Sequence, residues 1–204
     1  MSLSSRSVIA LLVLGISLGA CDKRSAPAGQ VGEGTSAQSG SGEVPAAPEA
    51  KAPAYRIDRS KAGSPLPTDA FADEKGQKTS LARFRGHPLL VNLWATWCAP
   101  CVAELPQLDA LAGKAAGAKS GLAVVAVSQD SQEAKKVLAF FDGKGFRHIR
   151  PWLDPDNALG LRYGTGILPT SVLYDAKGRE VARIIGAPDW IGPEAQALLR
   201  QAGA

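Results

Sequence analysis

The chain has 204 residues, 45% of them hydrophobic and 21% charged, a balance that excludes a wholly disordered protein and suffices for one folded domain. Its formal charge of +4 comes from 23 basic and 19 acidic residues. These alternate in sign without forming a basic block, so nucleic acid is not an indicated partner. The longest apolar run, at Val8 to Leu18, is about 11 residues where a membrane-spanning helix needs roughly 20, so no transmembrane helix is expected in the mature chain.

In chain order, Arg6 supplies a basic flank, Val8 to Leu18 an apolar stretch, and Leu18-Gly19-Ala20 a small-residue approach to Cys21. This reads as an export signal over residues 1–20. Leu18 is too large for the ordinary cleavage pattern, and the segment resembles the bacterial lipoprotein signal, in which Leu-x-Ala/Gly-Cys precedes lipid attachment to the cysteine. The resemblance implies a lipidated Cys21 as mature N-terminus, and Asp22 resembles the inner-membrane retention signal of Gram-negative lipoproteins. Two or more acyl linkages hold a protein stably, since each buried methylene contributes about 0.8 kcal/mol. Ordinary cleavage or an uncleaved anchor would also leave the remainder outside the cytoplasm. Residues 21–54 are rich in Gly, Ser, Pro and Ala and contain no aromatic residue. They read as a disordered tether with a reach of roughly 30 Å.

Residues 55–204 have the pattern of one folded domain. Asp73-Glu74-Lys75-Gly76 signals a hairpin within Ala70 to Leu81. Leu89 to Trp94 is short and apolar, as expected of a strand buried on both faces. Leu105, Leu108, Leu111 and Ala112 then recur at helical spacing, with Pro106 predicted to interrupt that helix and kink it near Val102. A second buried strand is expected at Leu122 to Val127, a helix from Ser131 or Gln132 to Phe141, and a short strand within Ile149 to Leu153. Asp156 is positioned to cap a short helix ending at Tyr163. Thr170 to Tyr174 and Glu180 to Ile185 flank the turn Asp175-Ala176-Lys177-Gly178 as a hairpin. Pro193 opens a last helix reaching Arg200. Strands alternating with helices imply parallel strands joined by crossovers, an α/β architecture.

Trp97-Cys98-Ala99-Pro100-Cys101 falls directly between a buried strand and a helix. A cysteine at a helix N-terminus faces unsatisfied N–H groups and the positive end of the helix dipole, both of which stabilise a thiolate. Free cysteine, with a pKa near 8.5, is only about 3% ionised at pH 7, and lowering the pKa to around 7 raises this to about half. Cys98 is therefore the expected nucleophile. Cys101, within disulfide reach but deeper, is the expected resolving thiol. Pro100 suits the first turn of a helix and stiffens the pair. A zinc site is disfavoured because His87 and His148 stand alone, and a bridge closing so short a loop would constrain the unfolded chain little.

The runs Leu89-Leu90-Val91-Asn92-Leu93-Trp94-Ala95-Thr96-Trp97-Cys98-Ala99-Pro100-Cys101, Glu104-Leu105-Pro106 and Gly164-x-Gly166-Ile167-Leu168-Pro169-Thr170-Ser171 resemble the thioredoxin superfamily. Within it they are similar to the TlpA/ResA group of extracytoplasmic thiol-disulfide oxidoreductases, with TlpA the nearer likeness. That resemblance implies a thioredoxin-like fold, a central mixed β-sheet flanked by helices with an N-terminal β-hairpin extension. It implies that Pro169 is a cis-proline and that Trp97, Ala99, Pro100, Leu168 and Pro169 form the substrate-binding surface. Glu104 would accept a proton from Cys101 while its own charge opposes ionisation of both sulfurs. The expected cycle needs no cofactor or metal beyond the redox-active Cys98-Cys101 disulfide. Expected partners are disulfide-containing exported proteins of cytochrome c or cytochrome oxidase copper-site assembly, and a membrane electron donor of the DsbD/CcdA kind. The expected location is the periplasmic face of the cytoplasmic membrane. A copper-delivery protein using the two sulfurs as soft ligands and a peroxiredoxin-like antioxidant are the competing readings. Trp94, Trp152, Trp190, Phe140 and Phe141 read as packing residues.

Overall fold

A computed structural model describes residues 54–117, 121–131 and 133–204. The expected signal segment, Cys21 and nearly all of the expected tether lie outside the described residues. The strands are β1 (Tyr55–Asp58), β2 (Phe71–Ala72), β3 (Lys78–Thr79), β4 (Leu89–Trp94), β5 (Ala123–Ser128), β6 (Trp152–Leu153), β7 (Thr170–Tyr174) and β8 (Glu180–Gly186). The helices are α1 (Ala99–Ala116), α2 (Ala134–Lys144), α3 (Ala158–Tyr163) and α4 (Pro193–Gln201), with a 3₁₀ turn at Leu81–Phe84.

All eight strands form one mixed sheet in the order β1-β8-β7-β4-β5-β6-β2-β3. The centre is parallel between β4 and β5 and between β5 and β6, as the strand-helix alternation requires, while β7 runs antiparallel to β4 and β8 antiparallel to β7. The predicted hairpin, β2 and β3, joins one edge through β6. Asp73 shapes its turn by accepting backbone N–H bonds from Lys75 and Gln77.

The pleat of β4 divides the core. Leu90 and Trp94 face a cluster containing Leu105, Leu108, Phe141, Leu198 and Leu199 from α1, α2 and α4. Leu89, Val91 and Leu93 face a second cluster with Phe71, Leu159, Tyr163 and Tyr174. Every residue of β4 is buried, so the strand's place at the centre follows from its apolar run on both faces.

Several boundaries differ from expectation. The first helix continues through Pro106 and is not interrupted there. The proline removes one backbone hydrogen bond, while completely buried Leu105 and Leu108 hold the surrounding turns against the sheet. The second helix begins at Ala134, because Asp130 is engaged upstream with Thr96 and Ser128 and keeps the residues after β5 in a loop. Asp154, and not Asp156, starts α3: its carboxylate accepts the N–H groups of Ala158 and Leu159, both at 2.9 Å. The Ile149 to Leu153 strand contracts to Trp152–Leu153. β1 carries two charged residues in four and no apolar run, and it becomes a strand only by pairing with the edge of β8.

Candidate active site

The sheet brings three chain segments to one end. Leu93 pairs with Thr170, so Pro169, immediately before β7, lies level with the end of β4 and the approach to Cys98. Trp94 pairs with Ser128 in parallel, which carries Gln129 and Asp130 to the same end. Ligand sites of open α/β sheets form at such carboxyl ends of parallel strands, where flanking loops diverge.

Cys98 is the N-cap of α1 and has extended backbone dihedrals. Its Sγ accepts the N–H of Cys101 at 3.4 Å, taking the place that an oxygen occupies in ordinary capping. The two cysteines form a disulfide with their Cα atoms 5.3 Å apart, inside the usual range for such bridges. Cys98 retains 6% of its surface and Cys101 none, so one sulfur is reachable and the other lies behind it. Ala99 and Pro100 are exposed on the first turn, and Trp97 is 68% exposed beside the nucleophile position. Asp130 fixes the loop ahead of Cys98 by accepting both the backbone N–H and the hydroxyl of Thr96, at 2.9 and 2.7 Å, and the hydroxyl of Ser128 at 2.8 Å.

Glu104 is three residues beyond Cys101 on the same buried face of α1 and is only 3% exposed. Its carboxylate accepts Nδ2–H of Asn92 at 2.7 Å and Nε1–H of Trp190 at 3.0 Å. Asn92 also donates to the hydroxyl of Ser171 at 3.0 Å, linking α1, β4 and β7. Burial pushes the Glu104 carboxyl up to about 7, against the downward pull of the Asn92 and Trp190 donors. A group poised there exchanges protons near neutral pH without a large driving force in either direction.

The peptide bond between Leu168 and Pro169 is cis. Pro169 is buried and Leu168 half-buried, while Ile167 is 50% exposed. The loop is held from within: Thr170 donates to the Ile167 carbonyl at 2.7 Å and bonds Thr165 through their hydroxyls at 2.8 Å. Gly164 and Gly166, both at φ 63°, supply left-handed conformations that this turn requires. An open groove of about 200 Å³ runs between Trp97 and Leu168.

The structure thus gathers Cys98, Cys101, Glu104 and the Trp97 and Leu168–Pro169 surfaces at one end of the sheet. Asn92, Asp130 and the polar role of Trp190 were not foreseen. Asn92 had a legible signal, since a lone amide inside a buried apolar strand must find a partner. Trp190 had a weaker one: a buried indole N–H also needs an acceptor, but nothing in the sequence points to a carboxylate 86 positions away. Among the described residues, no three His, Cys, Asp or Glu side chains are grouped so as to hold a metal ion.

The Redoxin family profile matches residues 61–199, more than half of the chain. The thiol-disulfide oxidoreductase ResA of Bacillus anthracis is 30% identical over 129 residues, covering 63% of this chain and 72% of that protein. The thiol:disulfide interchange protein DsbE of Pseudomonas fluorescens biotype C is 36% identical over 130 residues, covering 62% of this chain and 68% of that protein. A crystal structure of a thioredoxin-family thiol:disulfide interchange protein from Chlorobium tepidum superposes with a TM-score of 0.57 at 22% identity, covering 70% of this chain and 97% of that one, and so shares its fold. A paired Cys98 and Cys101 at a strand-to-helix junction, on a fold and sequence shared with these proteins, place the chain in the Redoxin family as a thiol-disulfide oxidoreductase.

Proposed function

We propose that this protein reduces disulfides in exported proteins from the periplasmic face of the cytoplasmic membrane, to which a lipidated Cys21 tethers it. The observation that carries the reading is the placement of the two sulfurs, one capping the start of α1 with 6% of its surface open and the other fully buried three residues later. In the reduced protein, the Cys98 thiolate attacks one sulfur of a client disulfide. The client S–S bond breaks, a mixed disulfide forms, and the other client sulfur leaves as a thiolate that takes a proton from water. Cys101 then loses its proton to the Glu104 carboxylate and attacks Cys98. This expels the second client sulfur and leaves the client with two electrons and the protein with a Cys98–Cys101 disulfide.

Trp97, Ala99, Pro100, Leu168 and Pro169 supply the client surface, with the backbone beside Pro169 presenting the extended client chain to Cys98. A membrane dithiol carrier of the DsbD/CcdA kind returns the electrons. Clients are exported proteins with closely spaced cysteines, as in cytochrome c or cytochrome oxidase copper-site assembly. Support for the membrane tether comes from the Leu18-Gly19-Ala20-Cys21 segment. Support for Glu104 comes from its burial on the Cys101 face of the helix.

The direction of electron flow is tested by equilibrating the pair with glutathione. A strongly reducing potential is expected, whereas a value near that of the strong periplasmic oxidases would overturn the reductase reading. Trapping with Cys101→Ser in the native host should capture exported proteins as mixed disulfides. Recovery of cytoplasmic proteins alone would remove the proposed location.

A further inference from the structure

The groove beside Trp97 has a polar floor that the reaction cycle does not use. Gln129, directly after β5, lines the groove and is 8% exposed. Among the described residues, neither its Oε1 nor its Nε2 has a hydrogen-bond partner. A buried amide with both ends unpaired is costly in a folded protein, and the cost is recovered if something arriving at the site supplies a donor and an acceptor.

Two neighbours pack closely against this carboxamide. Gly160 has no side chain, and a Cβ added there would lie 2.6 Å from Gln129 Oε1 and collide with Asn157 Oδ1. Asn157 itself sits in the left-handed region, at φ 52°, an uncommon conformation for a residue other than glycine. Trp97 at 68% exposure and Ile167 at 50% provide apolar surface around this polar spot. An unpaired carboxamide below an open, partly apolar groove is suited to a chain segment that carries amide groups between small side chains.

We propose that Gln129 is a specificity-determining residue that turns its carboxamide toward the groove and pairs with an amide group of the client segment flanking the scissile disulfide. The primary amide offers one acceptor and two donors, which matches the donor and acceptor pair of either a backbone peptide unit or an Asn or Gln side chain. The inference rests on the proposed reduction of protein disulfides, because it assigns the residue that reads the protein part of that substrate. Gly160 lets the Asn157 and Gln129 side chains lie close against the backbone of α3, which an alanine Cβ would prevent.

The test compares three disulfide probes against the reduced, full-length protein: hydroxyethyl disulfide, which has no amide, an extended peptide disulfide with alanine flanks, and the same peptide with asparagine flanks. Gln129→Leu should lower the ratio of peptide to hydroxyethyl disulfide reactivity about thirtyfold, the loss expected for two hydrogen bonds near the middle of their usual range. The same variant should melt at a higher temperature than the wild type, since it removes two unpaired buried atoms. Gly160→Ala, a substitution that favours a helix, should lower the same ratio because its Cβ displaces Gln129 Oε1 and Asn157 Oδ1. A fall with both peptides identifies the backbone amide as the group read, and a fall with the asparagine peptide alone identifies the side-chain amide. An unchanged ratio with both peptides in both variants would overturn the inference. If the wild-type protein reduces none of the three probes, the reductase reading itself fails.

Discussion

Two carboxylates five residues apart on α1 behave in opposite ways. Glu104 lies under the cysteines and meets two side-chain donors, Asn92 and Trp190, in a buried setting that raises its pKa to about 7. Asp109, half-buried at the middle of the helix, accepts backbone N–H groups from Arg147, His148 and Ile149, the shortest at 2.7 Å. Its burial also favours the neutral form, but those N–H bonds and the nearby His148 outweigh it and lower the pKa. Desolvation wins where two donors are offered, and hydrogen bonding wins where three backbone N–H groups converge. The first arrangement leaves a group able to take and return a proton near pH 7. The second favours the ionised carboxylate, which ties the loop between α2 and β6 to α1.

The largest effect that sharpens this contrast is loss of the attacking sulfur at the cysteine end. Cys98→Ser should abolish reduction of protein disulfides by a purified assay with insulin, while the variant melts close to the reduced wild type. Cys101→Ser should accumulate mixed disulfides instead of turning over.

Glu104→Gln comes next, with turnover at neutral pH falling about 100-fold if its carboxylate serves as general base. Because the carboxylate must be ionised to accept a proton, wild-type turnover should rise with pH through about 7, and this rise should vanish in the variant. Stability should move the other way. A carboxyl raised from 4.5 to about 7 leaves the native state holding more protons than the unfolded state between those values. The native state is therefore favoured at the acidic end of that window and loses about 3 kcal/mol as pH rises across it. Glu104→Gln should flatten that slope in denaturant titrations.

Asp109→Ala tests the opposite end of the contrast. It should cost about 1–2 kcal/mol by leaving the loop N–H groups without their acceptor, with turnover retained well below the melting temperature. The stability that wild-type Asp109 contributes is present above its unfolded pKa and is lost as pH falls below it, the reverse of Glu104. If Asp109→Ala instead reduces turnover while Glu104→Gln leaves it unchanged, the division of labour along α1 is wrong. The smallest expected effect is that of Trp190→Phe. Removing one donor should raise the Glu104 pKa further, shift the rise in turnover to higher pH, and cost about 1 kcal/mol.

Much of this arrangement is legible in the residues themselves. Leu89 to Trp94 reads as a doubly buried strand, and the cysteine pair, followed by apolar residues at helical spacing, reads as the start of a helix. Those two features put Cys98 at a helix N-terminus. Helical spacing puts Glu104 on the face of Cys101, and the family resemblance adds the cis bond before Pro169, which spacing does not reveal. Long-range partners stay hidden: Trp190 looks like packing until α4 and its preceding loop are folded against α1, where Gln107 accepts the Trp190 backbone N–H at 2.8 Å. Caps are ambiguous when two acids stand close together. Asp154 and Asp156 both precede α3, and only the pairing of Ser128 with Leu153 decides which carboxylate meets the helix. β1 lacks any pattern of its own, because its stability as a strand comes from β8.

The pH dependence of alkylation in the reduced protein tests the central claim most directly. Cys98 should react with a midpoint clearly below the value of about 8.5 for free cysteine, and Cys101, fully buried, should react far more slowly. Equal reactivity of both thiols with midpoints like that of free cysteine would contradict a helix-stabilised attacking thiolate at Cys98.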